Sequence, residues 1–300
     1  MEIDGLRGKD KWIPHLLGHE GCGRVVKIGP GVRTVSEGDQ VVLHWRPGEG
    51  IESETPKYLW RDKIVNAGWV TTFNKHAIVS ENRCTSVESG TNKDLTALMG
   101  CAVTTGFGVV ENNAKIKMGE SVVIFGAGGI GLNIIQASKM KCAWPIIAVD
   151  LFDSRLNLAK KYGASHVINS EKIDPKKNIL KILKNRNLDL FIDNTGIPEI
   201  IEMGYELLGN TGRLILVGVP RYNADIKIHS LPLHFGKTIT GSHGGESIPN
   251  KDIPRYLNLF NEGFWNIDGL VSKRFRLEQI NSAIKAMRGG GTQGRIIIDL

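Results

Sequence analysis

The chain has 300 residues, of which 41% are hydrophobic and 23% charged, with 36 glycines and a formal net charge of +7. Those values are those of a soluble globular protein with room for two domains. No run of about 18 apolar residues marks a membrane span, and the start M-E-I-D-G-L-R-G-K-D lacks the basic, apolar and small-residue segments of a secretory signal. Four cysteines, Cys22, Cys84, Cys101 and Cys142, stand too far apart for a disulfide framework, so a reduced, cytoplasmic setting is expected.

From Gly18 to about Arg83 the chain reads as short strands between turns. Gly21–Ile28 is a strand closed by G-P-G, Glu37-Gly38-Asp39 is a turn, and Gln40–His44 is the next strand. Arg46–Lys63 reads as a loop, and Val70–Val79 as a strand. This region is expected to be antiparallel and barrel-like. Leu95–Val110 reads as a helix pair. A strict alternation follows, with strands at Ser121–Phe125, Pro145–Val149, His166–Ile168, Leu188–Asp193 and Gly212–Val217. Helices separate them at Ile130–Lys139, Ser154–Tyr162, Lys177–Lys184 and Pro198–Leu208. Such alternation predicts a parallel sheet with helices on both faces. The tail offers helices at Ile253–Phe260 and Leu277–Met287 and a strand at Arg295–Leu300, too little to fold alone. The expected fold is thus α/β. Residues 104–243 form a Rossmann domain, and residues 1–103 and 244–300 together form a mostly β, barrel-like domain. The basic stretch Lys172–Arg186 carries Ile179, Leu180, Ile182 and Leu183 at helical spacing and no aromatic residue. It reads as the wet face of an amphipathic helix, and no nucleic-acid or membrane partner is expected.

The chemistry-bearing motif is S-V-V-I-F-G-A-G-G-I-G, residues 121–131. Gly126, Gly128 and Gly131 follow an apolar strand and open a helix. In that context the first glycine allows the tight turn, the second lets backbone approach a pyrophosphate, and the third lets helix and strand pack closely. The helix start at Gly129 and Ile130 offers amide hydrogens to the phosphates. Asp150 ends the next strand some two dozen positions on, where a carboxylate accepts hydrogen bonds from ribose hydroxyls and repels a 2′-phosphate. NAD is therefore the expected cofactor, tempered by Arg155, which could reach a phosphate or the ribose. The bland alternative is a glycine-rich turn in another α/β protein, with Asp150 as a helix cap. The loops Asp193-Asn194-Thr195-Gly196 and Val217-Gly218-Val219 also follow strands and are placed to line the same crevice.

Three further features join this one: Gly18-His19-Glu20, the run Val26–Val41 reading V-x-x-G-x-G-V-x-x-x-x-x-G-D-x-V, and G-C-A-V-T-T-G at residues 100–106. In this order they resemble the zinc-dependent alcohol dehydrogenases of the medium-chain dehydrogenase/reductase family, along nearly the whole chain. The resemblance implies a GroES-like catalytic domain beside the Rossmann domain, and His19 and Cys101 as two ligands of a catalytic zinc. Glu20 stands beside that metal and enters its shell in some members. Thr105 matches a threonine near the nicotinamide, Val217, Gly218 and Val219 the segment that contacts the nicotinamide or its ribose, and Ser242, His243 and Gly244 the interdomain edge. The polar His243 favours a polyol or sugar substrate.

Relatives carry a third ligand, a cysteine, further upstream than His19 stands from Met1, with a proton-relay serine or threonine just after it. Glu2–Gly8 is similar to the stretch following that cysteine, which implies either that an N-terminal segment is missing here or that the chain is a true short form that has lost the metal. Two ligands alone would hold zinc weakly, because catalytic sites use three protein ligands and ligand count sets affinity. No cysteine lobe follows His44, so no structural zinc is expected. Cys22, Cys84 and Cys142 read as structural. The implied reaction is reversible oxidation of an alcohol to a carbonyl, with zinc stabilising the alkoxide and the hydride passing to the nicotinamide. The alternatives are a non-catalytic NAD-binding protein or fragment, and a zinc-free quinone-type reductase, against which His19 and Cys101 argue. Relatives pair through an edge of the Rossmann sheet, so a homodimer or homotetramer is expected, with Leu214–Val219 and Thr238–Gly241 as the candidate edge.

Overall fold

The computed structural model describes Gly5, Leu6 and Gly8 to Leu300. Most of the Glu2–Gly8 stretch compared above therefore lies outside the described residues. The chain begins with strands β1 (Glu20–Arg24), β2 (Gln40–His44), β3 (Lys57–Trp60), β4 (Lys63–Asn66) and β5 (Cys84–Val87), then helices α1 (Lys93–Met99) and α2 (Ala102–Gly108). The alternating part follows as β6 (Val122–Phe125), α3 (Gly129–Met140), β7 (Ile146–Asp150), α4 (Asp153–Tyr162), β8 (His166–Asn169), α5 (Pro175–Leu183), β9 (Leu188–Asp193), α6 (Pro198–Leu207), β10 (Leu208–Leu216) and β11 (Thr238–Gly241). The tail holds α7 (Pro249–Asn261), β12 (Val271–Arg276), α8 (Ile280–Arg288) and β13 (Arg295–Asp299). Two compact units result. One is built from Thr105–Glu246, the described residues through Gly8, and Gly290–Arg295; the other from Lys9–Thr104, Ser247–Gly289 and Ile296–Leu300. Among the described residues no helix is long and apolar enough to cross a membrane.

The first unit is a six-stranded parallel sheet in the order β11-β10-β9-β6-β7-β8. Read from β8, that is the doubly wound order in which the chain reverses direction between β6 and β9. β6 and β7 are buried at every position, because helices cover both faces of a parallel sheet; this is why they read as continuous apolar runs. One core cluster joins Val123, Phe125, Ile147, Val149, Phe191 and Leu214, with the Phe125 and Phe191 rings stacked at 6.1 Å. Each such side chain contributes about 1.5–3 kcal/mol when fully buried. On α5, Ile179 and Leu183 enter the core, but Leu180 is exposed, so the apolar stripe is narrower than the spacing suggests.

The second unit contains an antiparallel sheet β1-β2-β5, with Val41 and Val42 buried, and pairs β12 with β13. Two expectations fail here. Arg46–Lys63 is not all loop: β3 and β4 form a hairpin closed by Arg61-Asp62, with Leu59 opposite Ile64 and Trp60 opposite Lys63. Its turn places Arg61 at φ +55°, without the Asn-Gly or Asp-Gly pair that usually announces such a turn. Val70–Val79 forms no strand. Within it the amides of Thr72 and Phe73 both donate to the Leu17 carbonyl, at 3.3 and 3.1 Å.

Candidate functional site

The register of the parallel sheet aligns the carboxyl ends of its strands. Phe125 stands opposite Val149 on one side and Asp193 on the other, and Asp193 stands opposite Leu216. The turns that follow open on one side of the sheet, at the point where strand order reverses. There they enclose a cavity of about 690 Å³. Its lining includes Gly126, Gly128, Gly129, Ile130 and Gly131 from the first turn, Asp150 and Arg155 from the second, and Asn194 and Thr195 from the third. Val217, Gly218 and Val219 complete that side.

The glycines are spaced by steric need. Gly126 sits at φ +94°, a left-handed backbone that favours glycine. A Cβ on Gly131 would lie 2.0 Å from the Gly126 carbonyl oxygen, so α3 could not pack at this distance with any other residue. A Cβ on Gly128 would meet nothing within 4 Å, which leaves open space over the start of α3. That space lies at a helix N-terminus, which favours negative charge.

Asp150 is buried at the cavity edge. Its Oδ2 accepts from the Ala127 amide at 2.8 Å and its Oδ1 from the Phe152 amide at 3.0 Å. A carboxylate has lone pairs to spare after two such bonds. The Arg155 guanidinium is more committed than the sequence suggests. Nε donates to the Thr292 carbonyl at 3.1 Å and Nη2 to the Gly290 carbonyl at 2.8 Å, while Nη1 lies 3.5 Å from Asp150. It braces the acid and ties down the segment that carries Arg295.

Arg295 is the residue that sequence reasoning missed. It lines the cavity, and a Cβ on Gly129 would lie 2.5 Å from its Nε. No motif surrounds it in the sequence; only the return of the chain's end into the first unit places a guanidinium on the glycine-rich turn. Leu151, Ser170 and Ile197 are further lining residues without a sequence signal.

Thr105 and Ser242 do not line this cavity. Thr105 is buried on α2, and Gly106 beside it permits that helix to meet α3, since a Cβ there would stand 2.5 Å from the Asn133 Cβ. The Ser242 amide donates to the Leu216 carbonyl at 2.8 Å, and its Oγ accepts from the Gly245 amide at 3.0 Å. His243 is exposed.

In the second unit His19 is exposed, Glu20 half-buried and Cys101 buried. Gly18 precedes the histidine at φ +88°, with room for no Cβ beside the Thr72 hydroxyl. Gly100 lets the Cys101 turn close onto β1 and β2: a Cβ there would fall 2.2 Å from the Leu43 carbonyl oxygen and 2.9 Å from the Glu20 Cα. The Ala102 amide then donates to Glu20 Oε2 at 3.0 Å, which holds that carboxylate beside Cys101. Among the described residues no three or more His, Cys, Asp or Glu side chains stand together in a metal-binding group.

Burial holds Cys84, Cys22 and His44 in their uncharged forms. Burial pushes the Cys84 thiol up to about 12. Burial also lowers His44 to about 4, aided by the nearby Arg83 charge and opposed by its bond to the Arg46 carbonyl. Glu81 works oppositely: burial would raise it, but the amides of Arg33, Ile51 and Thr34 outweigh that and lower it to about 2.

The model of the zinc-binding dehydrogenases matches residues 129–262, and that of the alcohol dehydrogenase GroES-like domain matches residues 3–89. The class-3 alcohol dehydrogenase of Cereibacter sphaeroides is 29% identical over 320 residues, covering 95% of this chain and 85% of that protein. The S-(hydroxymethyl)glutathione dehydrogenase of Paracoccus denitrificans is 27% identical over 322 residues, with the same coverages, 95% and 85%. Among solved structures, benzyl alcohol dehydrogenase from Acinetobacter calcoaceticus superimposes with a TM-score of 0.85 at 32% identity, covering 96% of this chain and 84% of that one. With both family models, the doubly wound sheet and the shared motif order, this chain belongs to the zinc-type alcohol dehydrogenases of the medium-chain dehydrogenase/reductase family.

Proposed function

We propose that this chain is an NAD-dependent oxidoreductase that interconverts a small alcohol and a carbonyl, with the dinucleotide held at the carboxyl ends of β6, β7, β9 and β10. The observation that carries this reading is the open cradle at Gly128, bordered by the buried Asp150 carboxylate. When bound, the dinucleotide supplies a nicotinamide ring that exchanges a hydride with the substrate carbon. The amides at Gly129 and Ile130 would bind its pyrophosphate, with the Arg295 guanidinium beside them neutralising charge. Asp150 accepts from the ribose hydroxyls and disfavours a 2′-phosphate, so NAD is preferred over NADP. Thr195, Val217, Gly218 and Val219 form the wall toward the nicotinamide, and Thr105 and Ser242 serve that end by resemblance.

His19 and Cys101 are the donors this chain offers a zinc ion, with Glu20 beside them. Among the described residues no group of three His, Cys, Asp or Glu side chains brings them together as a metal site. That same observation favours a second reading, dinucleotide binding without turnover. By their names, relatives act on an alcohol, on S-(hydroxymethyl)glutathione and on benzyl alcohol. The exposed His243 argues for a hydroxyl-rich substrate here. We further propose a cytoplasmic homo-oligomer paired through β11. Of the two strands in the candidate region only β11 is an edge of the sheet: β10 is bonded on both sides, which removes Leu214–Leu216 from the candidate interface.

The test is NADH formation by the chain with polyols and short primary alcohols, alongside zinc analysis. Turnover on polyols supports the first reading. NADH binding with no turnover on any alcohol supports the second, and turnover confined to simple primary alcohols rejects the role given to His243.

A further inference from the structure

The strongest unexplained group in the first unit is Asp193. It is fully buried at the end of β9, between β6 and β10, and it does not line the dinucleotide cavity. A buried carboxylate is costly unless its lone pairs are used. Here they are used on the loop that follows β9, which does line the cavity. Oδ1 accepts from the Thr195 amide at 3.0 Å and its hydroxyl at 2.6 Å, and Oδ2 accepts from the Gly196 amide at 2.9 Å. The backbone carbonyl of the same residue accepts from the amides of Val217 and Gly218, at 2.8 and 2.9 Å. The next residue extends the junction to the first turn, the Asn194 amide donating to the Phe125 carbonyl at 2.9 Å and Nδ2 to the Gly126 carbonyl at 3.3 Å.

The two loops also meet backbone to backbone. A Cβ on Gly218 would lie 2.3 Å from the Gly196 nitrogen, and one on Gly196 would lie 2.7 Å from the Val219 carbonyl carbon. Neither loop can shift without the other. We propose that Asp193 is a positioning residue, a buried clamp that locks the loops 194–196 and 217–219 into one wall and so fixes the shape of the dinucleotide cavity. The proposal rests on the dinucleotide reading above. Burial pushes the Asp193 carboxyl up, against the pull of the Thr195 hydroxyl and of the Gly196 and Thr195 amides, the environment of a group retained for its bonds rather than for solubility.

The test compares the full chain with Asp193→Asn and with Phe191→Leu, a core change two positions away on β9 that leaves the Asp193 bonds in place. In Asp193→Asn the amide oxygen can keep both Thr195 bonds, but an NH2 group then faces the Gly196 N–H, and donor meets donor. Fluorescence titration with NADH should show binding roughly ten- to hundred-fold weaker in Asp193→Asn, the range expected when a buried partner is left unsatisfied. Phe191→Leu should bind NADH within about twofold of the parent despite its lower melting temperature. Equal NADH affinity in Asp193→Asn and the parent, or equal weakening in both variants, overturns the proposal. If the parent itself binds no NADH, the dinucleotide reading fails, and cofactor positioning fails with it. Hydrogen exchange on the cofactor-free parent tests the clamp by itself, even if Asp193→Asn does not fold. The Gly196 and Gly218 amides should exchange slowly, and exchange as fast as that of exposed loop amides overturns the clamp.

Discussion

Replacing Gly128 by alanine separates what the glycine-rich turn does for the fold from what it does for a ligand. Gly128 has φ −76° and ψ −168°, a backbone that alanine adopts freely. Its Cβ would meet no protein atom within 4 Å. Restricting the unfolded chain should stabilise by about 0.4–1 kcal/mol, while alanine is the poorer N-cap for α3 by a similar amount. The two effects nearly cancel, so the melting temperature should stay within about 2 °C. The same methyl group fills the space over Gly129 and Ile130. It would push a pyrophosphate off the helix amides, and each charge-assisted bond lost costs about 1.5–3 kcal/mol. NADH titration should therefore show roughly ten- to hundred-fold weaker binding. Gly131→Ala is the contrast. Its Cβ would fall 2.0 Å from the Gly126 oxygen, so stability should drop by about 1–3 kcal/mol together with affinity. An unchanged NADH affinity in Gly128→Ala, with an unchanged melting temperature, would refute the placement of the phosphates.

Other perturbations report on separate parts of the site. Asp150→Ser removes the ribose acceptor and its repulsion of a 2′-phosphate, and the ratio of NADH to NADPH affinity should fall at least about tenfold; an unchanged ratio contradicts its role. Arg295→Gln should weaken both dinucleotides about tenfold and flatten the salt dependence of binding, measured by titration from low to high ionic strength. His44 stays neutral in the fold, with a pKa of about 4 against an ordinary 6.5. Its contribution to stability is intact above pH 6.5 and is lost as pH falls toward 4, so urea unfolding should show roughly 2 kcal/mol less stability at pH 5 than at pH 7 from this group. His44→Gln should remove that part of the pH dependence, and an identical pH profile would contradict it. Dialysis against a mild chelator should leave well under one zinc per chain by elemental analysis, since His19 and Cys101 alone bind weakly; a stoichiometric zinc that survives would demonstrate a third donor.

The Rossmann unit was legible because its signals are local. An apolar strand, three glycines and an acid at the end of the next strand lie within some thirty residues, and each has its own steric or electrostatic cause. Strand β9 and its neighbours read correctly because a sheet covered on both faces needs unbroken apolar runs. Arg295 was not legible, since it reaches the glycine-rich turn only through tertiary return of the chain, held by Arg155 on the carbonyls of Gly290 and Thr292. The β3–β4 hairpin was hidden by a turn with no glycine or asparagine, and Val70–Val79 shows the opposite error. Its β-branched residues suit a strand, but the segment forms none, and its Thr72 and Phe73 amides share the single Leu17 carbonyl instead of a ladder. Asp193 reads in sequence as part of a loop lining the crevice; the structure instead buries it behind that loop, where its side chain and carbonyl accept five bonds.

The central claim is that a dinucleotide lies across the carboxyl ends of the parallel sheet, and a crystal structure of the chain soaked with NADH tests it most directly. The account predicts the pyrophosphate over the Gly129 and Ile130 amides, the adenosine ribose within hydrogen-bond distance of Asp150, and the nicotinamide half against Val217–Val219. A cofactor bound elsewhere, or crystals that take up no NADH at millimolar concentration, would contradict it.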